Sequence, residues 1–228
     1  MTKLPLESWK GASLTQSMEN YLKAIFEIQE RAERATTSSI AERMSLAAPS
    51  VTAMVKKLAE LRLVTHEPYQ GVQLTHAGEM AAAEVVRHHR LIEKYLSEAL
   101  GVPWDRVHEE AEKLEHVISE DLEERIDGAL GYPTVDPHGA PIPARDGTVI
   151  RADARPLVSV AVGESVVVVE VDDRDPELLR YLGERRLFPG TRINVVRVEP
   201  FGGSLVLRVD EREFAIGREA AADVRVTR

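Results

Sequence analysis

Cysteine is absent from all 228 residues. That excludes disulfides and thiolate metal ligands, and it leaves the redox compartment unstated. No apolar run approaches the roughly 20 residues needed to cross a bilayer, so no membrane partner is expected. The first residues, MTKLPLESWKGAS, lack the apolar stretch of a secretory signal, which makes the cytoplasm the expected location. Catalytic signatures are missing too: there is no HExxH, no GxSxG and no phosphate loop, and Gly202-Gly203 sits between strand-like runs as a hairpin turn. The chain is therefore not expected to be an enzyme. No internal repeat or low-complexity segment is present.

What is present is a soluble composition, 43% hydrophobic and 29% charged, at a length that suits two or three small domains. The net charge of −9 is unevenly placed. Residues 1–75 carry nine Lys/Arg against eight Asp/Glu, residues 76–130 six against fourteen, and residues 131–228 fourteen against sixteen. An acidic middle attracts divalent cations, while a near-neutral first segment leaves phosphate contact open.

Apolar spacing predicts a helix over 18–31, with Met18, Tyr21, Leu22, Ile25, Phe26 and Ile28 on its stripe and Thr15 or Ser17 as cap. A short helix over 38–44, capped by Ser38 or Ser39, precedes a third in which Pro49 fits the first turn and Val51, Met54, Val55, Leu58 and Leu61 face inward. Two short helices and a tight turn spell helix-turn-helix. The alternation either side of Pro68-Tyr69-Gln70-Gly71 adds a hairpin wing. The exposed face of the third helix is small and hydroxylic, which allows close approach to a major groove, and it has no Arg to fork onto guanine. Ser39, Ala47, Ala48, Pro49, Ser50, Thr52, Lys56, Tyr69 and Gln70 are the candidate contacts to double-stranded DNA.

Long helices are predicted over 75–100 and 104–130, broken by Gly101-Val102-Pro103. The second carries an apolar seam through Val107, Ala111, Leu114, Ile118, Leu122, Ile126 and Ala129 that needs a partner helix, within the domain or in a second subunit. Residues 131–156 hold five prolines and three glycines, so regular structure is not expected there. From 157 onward five or six short β runs predict a small barrel, interrupted by one helical turn, PELLRYLGERRL. The fold class is mainly α with a small β domain. A winged helix-turn-helix occupies 1–75, a helical dimerisation and metal-binding domain 76–135, a linker 136–155 and a β-barrel 156–228.

His89 and Glu93 are four apart, as are His108 and Glu112, and Glu112 and His116, so each pair projects from one helix face. Imidazole plus carboxylate is the ligand set of a borderline-to-hard ion such as manganese, iron or zinc. His108, Glu112 and Glu115 lie beside the apolar seam, where a divalent cation offsets the cost of shielding carboxylates from water.

The order of helix-turn-helix with wing, HHRLIEKYL, VHEEAEKLEHVISEDLEERI and GYPTVDPHGAPIP resembles the diphtheria-toxin-repressor family of metal-dependent transcriptional repressors across 14–143. The remainder is similar to the Src-homology-type barrel of its longer members and to ferrous-transport accessory domains. The resemblance implies a homodimer with two metal positions per subunit. An ancillary position falls on His89, Glu93 and His108, with Asp175 or Glu177 of the barrel. A primary position falls on Glu112, Glu115 and His116, completed from the first helix by Asn20, with Glu19 or a water as alternative. The iron-responsive branch has Cys at the position of Glu112 and Met at that of Asn20, whereas the manganese branch has Glu and Asp. Glu112 thus points to manganese, with iron as the alternative and zinc, cobalt or cadmium as substitutes in vitro; Asn20 departs from both branches. The implied function is repression of metal-uptake genes. A metal-independent winged-helix regulator, and a metallohydrolase or storage protein without operator affinity, stay open on the residues alone.

Overall fold

The computed structural model describes residues 14–30, 32, 34–67 and 70–228. They fall into two compact units, one running to His88 with Pro143–Thr148 added, the other comprising His89–Ile142 and Val149–Arg228.

In the first unit α1 (Gln16–Gln29) starts at Thr15, whose hydroxyl accepts from the Met18 amide. Its buried residues include Met18, Tyr21, Leu22 and Ile25, as the sequence spacing predicts. The second helix, α2 (Thr37–Arg43), begins one residue earlier than expected. Thr36 is its cap, its hydroxyl accepting from the Ser39 amide while Ser39 Oγ accepts from the Thr36 amide, which closes a reciprocal capping box. A turn with Ser45 at φ +52° leads to α3 (Ala48–Glu60), which has Pro49 in its first turn and buries Val51, Val55 and Leu58. The expected inward face narrows here: Met54 is half-buried and Leu61 exposed. The wing follows as β1 (Val64–Glu67) antiparallel to β2 (Gly71–Leu74). One core joins these elements to the start of α4 (His76–Leu100), through Leu22, Ile25, Ile40, Leu58, Val72 and Ala82.

The second unit takes α4 from His89 onward, then α5 (Val107–Leu114) and α6 (Glu120–Ala129). The helix expected over 104–130 is thus two helices. The apolar spacing runs on through the break, but Ser119 accepts from the Leu122 amide and Glu120, Asp121 and Glu123 fill the following turn, which starts a new helix at 120. Residues 131–142 lack helix and strand, as expected, yet they are no solvated linker: Asp136, His138 and Ile142 are buried. Asp136 Oδ1 accepts from the amides of His138 (2.8 Å) and Ala140 (3.0 Å), and Arg90 donates to the Pro141 carbonyl at 2.6 Å.

The rest is a six-stranded antiparallel sheet of β3 (Arg155–Pro156), β4 (Ser165–Val171), β5 (Arg192–Val198), β6 (Leu205–Val209), β7 (Arg212–Ile216) and β8 (Val224–Thr227). Its spatial order is β3-β8-β4-β5-β6-β7. The predicted helical turn is α7 (Pro176–Glu184), and a short α8 (Arg218–Ala222) precedes β8. Leu157, Leu179, Leu182, Leu187, Ile193 and Leu207 belong to its core. The amide of Val171, at the end of β4, donates to the His138 carbonyl at 2.9 Å, and Gly139 (φ +89°) lies so close to the Val169 carbonyl that no Cβ fits. The 131–142 segment is thereby held against the end of β4.

Gly78 of α4 meets the Leu63 carbonyl with no room for a Cβ. Overpacking a site of this kind typically costs ~1–3 kcal/mol. Gly78→Ala should lower the urea midpoint of the protein by a corresponding amount, with an unchanged m-value.

Candidate metal centre

His89 and Glu93 stand one turn apart on α4 and are buried, Glu93 completely. From α5, His108 brings its Nδ1 to 3.1 Å from both Glu93 Oε1 and His89 Nε2, while His89 Nε2 lies 2.9 Å from the same carboxylate oxygen. Asp173, just after β4, places Oδ2 3.4 Å from His108 Nδ1. One donor atom from each of His89, Glu93, His108 and Asp173 lies within 4.8 Å of all the others.

A second set shares two of these residues. Donor atoms of Glu93, Asp136, His138 and Asp173 also lie mutually within 4.8 Å. His138 Nδ1 is 3.7 Å from Glu93 Oε2 and 4.0 Å from Asp173 Oδ2. Glu93 therefore turns one oxygen to each set. Its Oε2, together with Asp136 Oδ2 and His138 Nδ1, is buried without a hydrogen-bond partner among the described residues.

Of the remaining candidates, Glu115 is buried between two imidazoles, with Oε2 2.5 Å from His89 Nδ1 and Oε1 3.3 Å from His116 Nε2. Glu112 is mostly exposed and approaches His108 Nε2 at 3.6 Å. Glu19 is half-buried and Asn20 exposed, both on α1 of the first unit. Asp175 and Glu177 are not in either set: the Asp175 carboxylate accepts from the Glu177 amide at 2.8 Å and caps α7. Asp173, Asp136 and His138 are what the sequence reading passed over. Asp-Pro-Glu at 175–177 is a helix start in its own right, a signal that commits Asp175 to capping and leaves Asp173 available.

The donor set fits a divalent cation. Two like charges 4–5 Å apart repel by roughly 3–4 kcal/mol at an effective dielectric of about 20, and here carboxylates converge out of water. Protons relieve part of this. Burial and then the neighbouring Glu93 charge push Asp136 up to about 7. Burial disfavours the charged form of His108, but hydrogen bonds to Asp173, Glu112 and Glu93 outweigh it and push His108 up to about 12. His138 goes up to about 9, where Glu93 overcomes the same burial penalty. Glu93 is held well below the carboxylate range despite its burial, because His89, His108 and His138 surround it.

In the first unit the start of α3 is open. Ala47 caps it without a side-chain hydrogen bond, and Ala47, Ala48, Pro49, Ser50 and Lys56 are exposed. Thr52 is half-buried, its hydroxyl donating to the Ala48 carbonyl at 3.0 Å. Gln70 is exposed, Ser39 is half-exposed and engaged in the α2 cap, and Tyr69 lies outside the described residues.

Three family models match in succession: the iron dependent repressor N-terminal DNA binding domain over 13–72, the iron dependent repressor metal binding and dimerisation domain over 75–144, and the FeoA domain over 155–228. The iron-dependent repressor IdeR of Mycobacterium leprae is 30% identical, with 93% of this chain and 97% of the relative covered. A solved manganese-dependent transcriptional repressor in complex with manganese is 38% identical, covering 92% of this chain and 98% of its own at a TM-score of 0.87. The structure of ScaR with bound Zn2+ is 32% identical, covering 92% and 98% at a TM-score of 0.80.

An imidazole must shed its proton to ligate, and His108 and His138, raised above their ordinary range, carry theirs through neutral pH. Ion uptake should therefore release more than one proton per cluster at pH 7, and affinity should rise from pH 6 to pH 8. Calorimetry in two buffers of different ionisation enthalpy measures the release; pH-independent affinity with no proton release would contradict the assignment of these imidazoles as ligands.

Proposed function

The chain belongs to the diphtheria-toxin-repressor family of metal-dependent, DNA-binding transcriptional repressors, and from that premise we propose that it is a manganese-responsive, homodimeric repressor of metal-uptake genes acting in the cytoplasm. The observation that carries the choice of ion is the donor set. Every residue of the two donor sets carries a carboxylate or an imidazole, and within them two carboxylate oxygens and one ring nitrogen are buried without a hydrogen-bond partner among the described residues. Hard and borderline donors of this kind suit manganese, whereas a thiolate would soften the site toward iron, cobalt or nickel. Iron is the second reading, favoured by the name of the Mycobacterium leprae relative.

In this reading His89, Glu93 and His108 hold one ion together with Asp173, and Glu93, Asp136, His138 and Asp173 form a second donor set. Glu112, Glu115 and His116 belong to a further position. The bound ion supplies positive charge among buried carboxylates. The chain's own residues do the rest: α4 fixes His89 and Glu93 one turn apart, Glu115 orients His89 from its far edge, and the open start of α3 offers amides and small side chains to DNA.

Support for a second subunit comes from apolar surface on α5, α6 and the turn between them. Leu114, Leu122 and above all Val117, 68% accessible, face solvent within the segment that matches a dimerisation domain. No helix among the described residues is long and apolar enough to cross a membrane, so such surface is better covered by a protein partner.

Metal and operator binding are coupled free energies in this proposal, so each ligand must tighten the other by the same factor, typically 5–150-fold. Binding of promoter fragments from metal-uptake genes, measured by anisotropy in manganese and then in chelator, should differ by at least about tenfold; equal affinity would overturn the proposal. Val117→Glu should place a charge in the subunit contact and shift the protein to monomer in sedimentation, with weakened operator binding.

A further inference from the structure

His138 is fully buried, and its two ring nitrogens face different neighbours. Nε2 lies 2.7 Å from the main-chain carbonyl of Trp104. A carbonyl only accepts, so Nε2 carries the hydrogen. The lone pair of a neutral ring is then at Nδ1, the atom that faces Glu93 Oε2 and Asp173 Oδ2. The Trp104 indole also stacks on the same imidazole, ring centres 5.7 Å apart and planes inclined by 28°. One residue thus governs both which nitrogen is bare and how the ring is tilted.

Trp104 is itself held. Its indole packs on Phe188 at 4.7 Å and lies against Gly183 of α7, where an added Cβ would come to 3.1 Å from the indole Nε1. Gly183 sits inside a helix at ordinary helical φ, a position where glycine costs about 1 kcal/mol relative to alanine. Backbone conformation does not require it; its effect is to leave room for the indole, which any Cβ would crowd. Arg180, one turn earlier on α7, reaches Asp105 at 3.3 Å beside the tryptophan. The helix that seats Trp104 begins just after the donor Asp173, so both sides of the donor set are referred to α7.

We propose that Trp104, seated in the notch left by Gly183, is a positioning residue for metal binding: its carbonyl fixes the tautomer and its indole the tilt that present His138 Nδ1 to a divalent cation shared with Glu93, Asp136 and Asp173. The inference rests on the metal-binding reading of those four residues. Partners of this kind, which hold a ligand without touching the ion, typically contribute 10–100-fold in affinity.

The test uses the full chain with calorimetric titration of Mn(II), and Zn(II) for nitrogen NMR of labelled histidines. His138→Ala identifies which binding step belongs to this set. Gly183→Val pushes the indole from its seat and should weaken that step 10–100-fold. Trp104→Ala, which keeps the main-chain carbonyl but removes the stacking ring, should weaken it comparably, while Trp104→Phe, which keeps a flat ring, should stay within about threefold of the parent. In the Zn(II)-loaded parent, His138 should show a ligated Nδ1 and a protonated Nε2, a signature that a merely structural tryptophan would not control and that Gly183→Val should lose. Should Gly183→Val fail to fold, the Trp104 pair decides alone. A parent chain that takes up neither ion overturns the metal-binding reading itself. A parent that binds through Nε2, or Gly183→Val and Trp104→Ala proteins that bind like the parent, overturns the positioning role and leaves the metal reading standing.

Discussion

One fully buried carboxylate sets the terms for the second unit. Glu93 has no access to water, and its two oxygens face different imidazoles, Oε1 toward His89 and His108, Oε2 toward His138. An isolated buried carboxylate would take up a proton, because desolvation penalises its charge by several kcal/mol. Here three rings hold it ionised, and two of them, His108 and His138, are raised far enough in turn to favour their charged forms at neutral pH. The arrangement is self-consistent without an ion, but its positive charge is held as protons on nitrogens that also have the geometry of ligands. On the proposed reading, a divalent cation would compete for those positions directly.

Backbone hydrogen bonds make irregular chain part of the donor set. Residues 131–142 have the composition of a linker, yet Asp136 is folded back on the amides of His138 and Ala140, and the His138 carbonyl is tied to β4 through the Val171 amide. Arg90 adds a hydrogen bond to Pro141 and lies 3.8 Å from Asp136 Oδ2. A backbone fixed at so many points presents its side chains as reproducibly as a helix would. Prolines and glycines here mark a shaped segment, and Gly139, at positive φ and hard against Val169, is the residue no other side chain can replace.

Legibility in the sequence divides along the same line. His89 and Glu93 were readable because a helix imposes a period, and four residues means one face. The α1 stripe and the fully buried Val51, Val55 and Leu58 of α3 follow from the same rule, as does the two-residue alternation that marks the sheet strands. Asp173, Asp136 and His138 have no period to betray them; they converge through sheet registry and turn geometry that spacing does not encode. The break at 115–119 was hidden for a related reason. Ile118 and Leu122 keep helical spacing across it, while the deciding feature is local, Ser119 with acids in the next turn. Asp175 drew attention by its composition alone, although the proline after it had already committed its carboxylate to the start of α7.

The consequence for a regulator is energetic. The donors come from α4, α5, the 131–142 segment and the end of β4, stretches that are separated by as many as 84 residues between His89 and Asp173. An ion that binds the folded arrangement and not the open chain stabilises it by about 2.7 kcal/mol at a free concentration one hundred times its dissociation constant. For a domain whose whole stability is on the order of 5–15 kcal/mol, that is a large fraction. The acidic charge of residues 76–130 is thus more than a solvated surface, because part of it is buried where only protons or a metal can balance it. If the proposed donor set takes up the ion, occupancy and the order of the second unit become one quantity, and cation concentration is converted into a structural state by the physics that makes an unpaired buried carboxylate costly.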